Sequence, residues 1–166
     1  ADTRNYSRYY RQRLRAEVLL DSICNITGID EQFDALPPES RANQIWTHRV
    51  GSLFLDTFGR PDLNQDPPCE RTSDTSVVQA LHLMNAPSLH QKITNDAGLA
   101  KQLADGSLNN KQIVEELYLR TYNRFPTEEE LAIAEPLLGD DPAGRRPAIE
   151  DLLWALLNTP EFTFKN

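Results

Sequence analysis

The chain has 166 residues, 39% of them hydrophobic and 25% charged, and its formal net charge is −8. That length is expected to fold as a single domain, and that balance of apolar and charged residues excludes an intrinsically disordered chain. No apolar run approaches the roughly 20 residues needed to span a bilayer, so no membrane insertion is expected.

An arginine-rich arm opens the chain. Residues 1–15 hold five arginines and one acid, Asp2, which leaves 12 basic and 24 acidic residues in the rest of the chain. Arginines interleaved with tyrosines can bind phosphates and stack on bases, but a body this acidic repels a polyanion. We therefore expect no nucleic-acid partner. Residues 1–12 are predicted to be a linker or the start of a helix, and residues 13–166 a single helical domain.

The first clear helix follows this arm. Apolar residues recur at the i, i+3, i+4, i+7 spacing of a buried stripe over residues 16–27, and Gly28 is a typical stop signal. On this stripe Cys24 is expected to behave as a small hydrophobe. Two separate thiols at Cys24 and Cys69 are therefore favoured over a disulfide between them.

A long irregular segment is predicted at about residues 54–72, after a connector (29–40) and a stretch (41–53) that fits either a short helix or an extended piece. Irregular segments that carry specific polar residues are where binding and catalysis tend to occur. This segment holds a candidate functional or structural polar cluster: Asp56, Arg60, Asp62, Cys69, Glu70 and Arg71.

The cluster has two interpretations. In the first, two carboxylates perform acid/base chemistry while an arginine orients an anionic or sugar-like substrate. In the second, which we favour, Arg60 and Arg71 pair with the acids and with loop carbonyls, and so fix a long loop to the helices.

Helical signals return near residue 73 and continue to the end of the chain. One helix, capped by Asp74, Thr75 or Ser76, carries four large apolar residues: Val77, Val78, Leu81 and Met84. Later helix starts are predicted at three places: Asn109 or Asn110, Thr127, and Thr159. Because Thr127 and Glu130 fit a capping box, the three acids at 128–130 are interpreted as helix capping, not catalysis. The fold class is all-α, a compact bundle of about six to eight short-to-medium helices.

Familiar catalytic and cofactor motifs are absent from the sequence. There is no Gly-rich phosphate loop, no G-x-S-x-G and no H-E-x-x-H. His48, His82 and His90 do not show ligand spacing, and the two cysteines form no C-x-x-C. We therefore expect no metal and no bound cofactor.

Six blocks of sequence carry a resemblance to a known family: Leu14–Glu17, Phe54–Asp62, Cys69–Arg71, Gln79–Asn85, Glu116–Arg120 and Leu152–Phe162. Together, over about residues 10–164, the chain resembles the C-terminal domain of unknown function of large secreted planctomycete proteins. Those proteins often also carry a c-type cytochrome domain, although this chain has no haem-attachment motif. Many members have a second Cys shortly before the one that matches Cys69, where this chain has Pro67 and Pro68.

The resemblance implies an extracytoplasmic location, either periplasmic or secreted. It also implies that the partners are other domains of the parent protein, possibly a c-type cytochrome domain. We favour a non-catalytic helical interaction or scaffold module of an exported multidomain bacterial protein. One alternative is part of an extracellular glycan-acting enzyme that uses Asp56, Asp62 or Glu70; another is an electron-transfer docking module for the cytochrome domain. The sequence does not decide whether the chain is an enzyme.

Overall fold

Helices carry almost all of the regular structure in the computed structural model, which describes residues 11–34, 36–45, 50–60, 76–139 and 141–165. In these ranges the chain forms nine α-helices: α1 Ala16–Thr27, α2 Leu53–Thr57, α3 Val77–Asn85, α4 Pro87–Ile93, α5 Leu99–Asp105, α6 Asn110–Tyr122, α7 Glu128–Leu137, α8 Pro142–Leu157 and α9 Pro160–Thr163. The all-α prediction is confirmed. About six to eight helices were expected, and the described part has nine. The count is higher because the single turn α9 counts as a helix and because one residue, Ala86, divides α3 from α4. None of the described helices is both long and apolar enough to cross a membrane.

Two short strands join the two ends of the described chain. Strands β1 (Gln12–Arg13) and β2 (Phe164–Lys165) pair antiparallel, with Gln12 opposite Lys165 and Arg13 opposite Phe164. The Leu14 amide extends this pairing by donating to the Thr163 carbonyl (2.9 Å). The chain therefore enters and leaves the helical body at the same place.

Local side-chain caps set many of the helix ends. Four predicted helix starts are confirmed, each with a side-chain oxygen that accepts from the backbone amide three residues further on: Ser76, Asn109, Thr127 and Thr159. At the opposite ends, Gly28 (φ 74°) and Asn123 (φ 56°) close α1 and α6 in the left-handed conformation. These boundaries follow from hydrogen bonds between near neighbours in sequence.

The core is centred on α1, α6 and α8. Helix α8 packs against α4, α5, α6 and α9, while α1 packs against α2, α4 and α5. Its fully buried residues include Leu19 and Ile23 of α1, Leu117 of α6 and Leu153 of α8. Cys24, on the same stripe of α1, is a free and buried thiol whose pKa is raised by that burial.

The segment expected to be irregular from Phe54 begins instead with helix α2. Ser52 caps this helix by accepting from the Leu55 amide, and Phe54 and Leu55 turn into the core. The ambiguous stretch before it contains a 3₁₀ turn at Ala42–Gln44. Residues 46–49 and 61–75, which include most of the predicted irregular segment, lie outside the described residues.

Candidate functional site

Two members of the predicted polar cluster, Asp56 and Arg60, are described, and they contact each other. The Arg60 side chain is 5% exposed, and its Nε and Nη2 donate to Oδ1 of Asp56 (3.1 and 2.6 Å). Its Nη1 donates to the Val50 carbonyl (2.7 Å). Arg60 thus joins the end of α2 to the backbone that precedes this helix.

The other four members lie outside the described residues: Asp62, Cys69, Glu70 and Arg71. Their roles, and the acid/base pair that the enzyme hypothesis needs, stay predictions. Within the described ranges, no group of three or more His, Cys, Asp or Glu side chains could hold a metal ion.

A different feature, an apolar cleft beside α3, is a candidate binding site in the described part of the chain. The cleft has a volume of about 290 Å³ and lies between α3, Phe58 and the C-terminal segment. Its apolar walls come from Phe58, Ala80, Leu83, Met84, Pro160 and Phe164. We call it the α3 cleft. Predominantly apolar lining is typical of ligand and peptide sites.

Contacts with neighbouring side chains hold Phe58, which lines the α3 cleft. The Phe58 ring stacks on Phe54 with centroids 4.5 Å apart, and His82 meets both rings edge-on. Arg13 lies over the Phe58 ring at 5.3 Å and donates from Nη2 to the Phe58 carbonyl (2.8 Å). Burial lowers the pKa of His82, which favours the neutral imidazole. The cleft therefore has a preformed floor.

The polar side chains around the α3 cleft bond to neighbouring protein groups. The Ser76 amide donates to Oε1 of Gln79 (3.3 Å), and Nε2 of Gln79 donates to the Thr57 carbonyl (3.1 Å). The Asn158 amide nitrogen donates to the Trp154 carbonyl (2.8 Å). An apolar group can therefore enter the cleft without separating these polar atoms from their partners.

An exposed apolar face of α3 continues the cleft. Val77 is 76% exposed, Val78 65%, Leu81 52% and Met84 50%. Residues at i, i+4 and i+7 share one side of a helix, so Val77, Leu81 and Met84 lie together, and Met84 also lines the cleft. We call these four residues the α3 surface.

The rotation of α3 explains this exposure. The capping box between Ser76 and Gln79, with the Gln79 bond to Thr57, turns Gln79 and Leu83 into the protein. The opposite face is left outside, although it carries more apolar residues. The sequence identified Val77, Val78, Leu81 and Met84 as the large apolar residues of this helix, but it did not show that they stay exposed. By contrast, nothing in the sequence indicated that Arg13 lines the cleft.

A charged cluster holds the C-terminal wall of the cleft in place. Arg124 donates to both oxygens of Glu130 (2.8 Å each) and to both oxygens of Glu161 (2.7 and 2.9 Å). Its guanidinium also lies within 5.5 Å of the rings of Tyr118 and Tyr122. Since Glu161 follows Pro160 in α9, the cluster ties this wall of the cleft to α6 and α7.

Acid should weaken this cluster in a defined pH range. The Arg124 hydrogen bonds lower the pKa of Glu130 from 4.5 to about 2. The stabilisation from the Glu130 charge is therefore full above about pH 4.5 and is lost as the pH falls towards about 2. We expect Glu130→Gln to lower the free energy of unfolding by about 1–3 kcal/mol at pH 7, with a difference from the wild type that shrinks below pH 4.5. Urea titrations at pH 7, 4 and 2.5 test this expectation.

The matched control is Glu129→Gln, because Glu129 is an exposed neighbour in the same helical turn. This change should alter the free energy of unfolding by about 0.5 kcal/mol or less at each pH. A Glu130→Gln loss that is the same at pH 7 and pH 2.5 would contradict the role given to the charge.

Comparison with protein families identifies a match. The sequence model of a family described as PSD1, a protein of unknown function (DUF1553), matches residues 1–138. The matched range contains α1 to α7, and so includes the α3 surface. No curated protein and no solved structure matches the chain.

Proposed function

Because the chain belongs to the PSD1 family of proteins of unknown function (DUF1553), its surfaces are the guide to its role, and we propose that it is a non-catalytic helical interaction module. Its partner in this proposal is another domain of an exported, multidomain bacterial protein. A c-type cytochrome domain is one candidate, on the strength of the resemblance to secreted planctomycete proteins.

The α3 surface is the observation that carries this proposal. Single exposed apolar residues are ordinary on protein surfaces, but here four occur within eight residues of one helix. The helix has no Asp, Glu, Lys or Arg on any side. Neighbouring apolar side chains of this kind mark interaction sites.

The described arginines support a structural role for the polar residues around this surface. Arg60 bonds to Asp56 and Val50, Arg13 to Phe58, and Arg124 to two glutamates. Each of these contacts fixes one segment of the chain to another.

The proposal is tested by comparing this chain alone with the natural full-length polypeptide that contains it. Hydrogen exchange should show the α3 amides at least about tenfold slower in the longer protein, because a docked domain covers the helix. Leu81→Asp should abolish this slowing without lowering the stability of the isolated chain, since Leu81 is half exposed. Ile133→Asp is the matched control, because Ile133 is 69% exposed on α7.

Equal exchange of α3 in the short and long proteins would overturn the proposal. So would a Leu81→Asp variant whose exchange in the long protein matches that of the Ile133→Asp control. The proposal would also be overturned if the natural polypeptide had no second domain.

A further inference from the structure

A second cavity lies between α4 and α8, and it shares no lining residue with the α3 cleft. It is lined by six residues: His90, Ile93, Thr94, Glu150, Asp151 and Trp154. We call it the α4–α8 cavity. We propose that it binds a small organic ammonium ion, whose charge is recognised by the indole ring of Trp154 and by the two carboxylates. This inference goes beyond the interaction module and does not depend on it.

The lining of the α4–α8 cavity combines an aromatic ring with negative charge. Glu150 and Asp151 supply two carboxylates, and no Lys or Arg is among the described residues that line the cavity. Tryptophan is the side chain whose ring attracts a cation most strongly. An ammonium ion is therefore attracted by both kinds of group, while the same carboxylates repel an anion.

Both carboxylates have oxygen atoms left for a ligand. Asp151 is exposed, and it has neither a hydrogen bond nor an ion pair within the described part of the chain. The Glu150 side chain is 17% exposed and accepts from Nε of Arg146 on Oε1 (2.7 Å), which leaves Oε2 without a donor from the described residues. Each carboxylate can thus approach a ligand without losing a protein partner.

The arginine next to the α4–α8 cavity does not neutralise it. Arg146 pairs with Glu150 and also donates from Nη1 to Oδ1 of Asp96 (2.7 Å). With Asp151, this group holds one basic and three acidic side chains, so negative charge is in excess around the cavity. The chain as a whole is also acidic. A cation is therefore favoured both by the lining and by the field of the protein.

Contacts between α4 and α8 hold the α4–α8 cavity in shape. Nη2 of Arg146 donates to the Thr94 carbonyl (2.7 Å), which ties α8 to the end of α4. The Thr94 hydroxyl donates to the His90 carbonyl (3.0 Å), and Ile93 between them is buried. Because these residues are already fixed, a ligand loses little affinity to their ordering.

The size of the α4–α8 cavity limits its ligand to a small molecule. An apolar cavity of roughly 150 Å³ accepts benzene, and this cavity has a volume of about 310 Å³. Ligand pockets commonly range from about 300 to 1,000 Å³. The cavity therefore suits an ion with a few carbon atoms, such as choline.

The test compares choline with its neutral analogue 3,3-dimethylbutan-1-ol, which has the same shape without the charge. Both are titrated into the full chain at constant ionic strength, and the indole N–H signal of Trp154 is followed by NMR. Choline should shift this signal and bind at least about fivefold more tightly than the neutral analogue. The chain has two tryptophans, and loss of a signal in Trp154→Leu identifies the one to follow.

Two variants test the groups that recognise the charge. Asp151→Asn should weaken choline binding about two- to fivefold, since it removes one exposed charge. Asp34→Asn is the matched control, because Asp34 is also an exposed aspartate but does not line the cavity, and it should bind as the wild type does. Trp154→Leu, followed through the Asp151 backbone amide, should weaken binding about two- to fivefold by removing the ring.

Equal affinity for choline and 3,3-dimethylbutan-1-ol would overturn the inference, and so would Asp151→Asn and Asp34→Asn variants that bind choline equally well. Choline that leaves the Trp154 indole signal unshifted would also overturn it. A shift of this signal by glucose as large as that by choline would identify a site for polyhydroxyl compounds instead. None of these results bears on the protection of α3, so the interaction module is tested separately.

Discussion

Arg60→Ala is expected to lower the free energy of unfolding by about 1–3 kcal/mol, because it leaves the buried Val50 carbonyl without its donor. The Arg60 side chain is 5% exposed and donates to Asp56 and to the Val50 carbonyl. Removing it unpairs that carbonyl and separates the end of α2 from the preceding segment. For a domain of this size, each kcal/mol lowers the melting temperature by about 2–4 °C. Urea denaturation at pH 7 measures the loss.

Arg120→Ala is the matched control for Arg60→Ala. Arg120 also pairs with an acid one helical turn away, Glu116, at the same 2.6 Å, but its side chain is 45% exposed. Surface pairs of this spacing contribute about 0.3–0.5 kcal/mol. Equal losses in the two variants would show that burial does not set the contribution of Arg60, and would contradict its role as a structural tie.

Lys92→Met is expected to lower the free energy of unfolding by about 2–4 kcal/mol. Lys92 is 7% exposed, and its ammonium donates to the carbonyls of Ile29 (3.1 Å) and Asp30 (2.9 Å) and pairs with Glu31 at 3.1 Å. Methionine keeps most of the apolar stem but removes the donor. The connector after α1 would then lose its attachment to α4.

Lys101→Met is the control for Lys92→Met, since Lys101 forms an exposed pair with Asp105 one turn away in α5. We expect a change of about 0.5 kcal/mol or less. Hydrogen exchange adds a second readout, because Lys92→Met should speed exchange in the connector near Ile29 more than in α6. A uniform change in exchange across the chain would contradict a local attachment.

The helix starts were predictable from the sequence because they depend on neighbours. Thr127 needs only Glu130, three residues away, and Asn109 needs only Gln112. The all-α fold followed from periodicity in the same way. A capping hydrogen bond joins residues within one helical turn, so it can be predicted from neighbouring residues without knowledge of the rest of the fold.

The candidate site was less predictable because its contacts join distant residues. Arg124 reaches Glu161 across 37 positions, and Arg13 reaches Phe58 across 45. The sequence predicted that Arg60 pairs with acids and loop carbonyls, but it could not show that α3 turns Gln79 inward and leaves Leu81 outside. That rotation goes with the bond from Gln79 to Thr57 and the burial of Leu83, which are contacts between elements.

The pairing of β1 with β2 gives the domain a mechanical property. Because Gln12 and Lys165 form the outer pair of this antiparallel ladder, tension applied to the two strands from that end would separate the pairs one at a time. The second pair, Arg13 with Phe164, contributes both of its residues to the lining of the α3 cleft. Pulling on these strands would therefore separate one wall of the α3 cleft before any helix of the core is stretched.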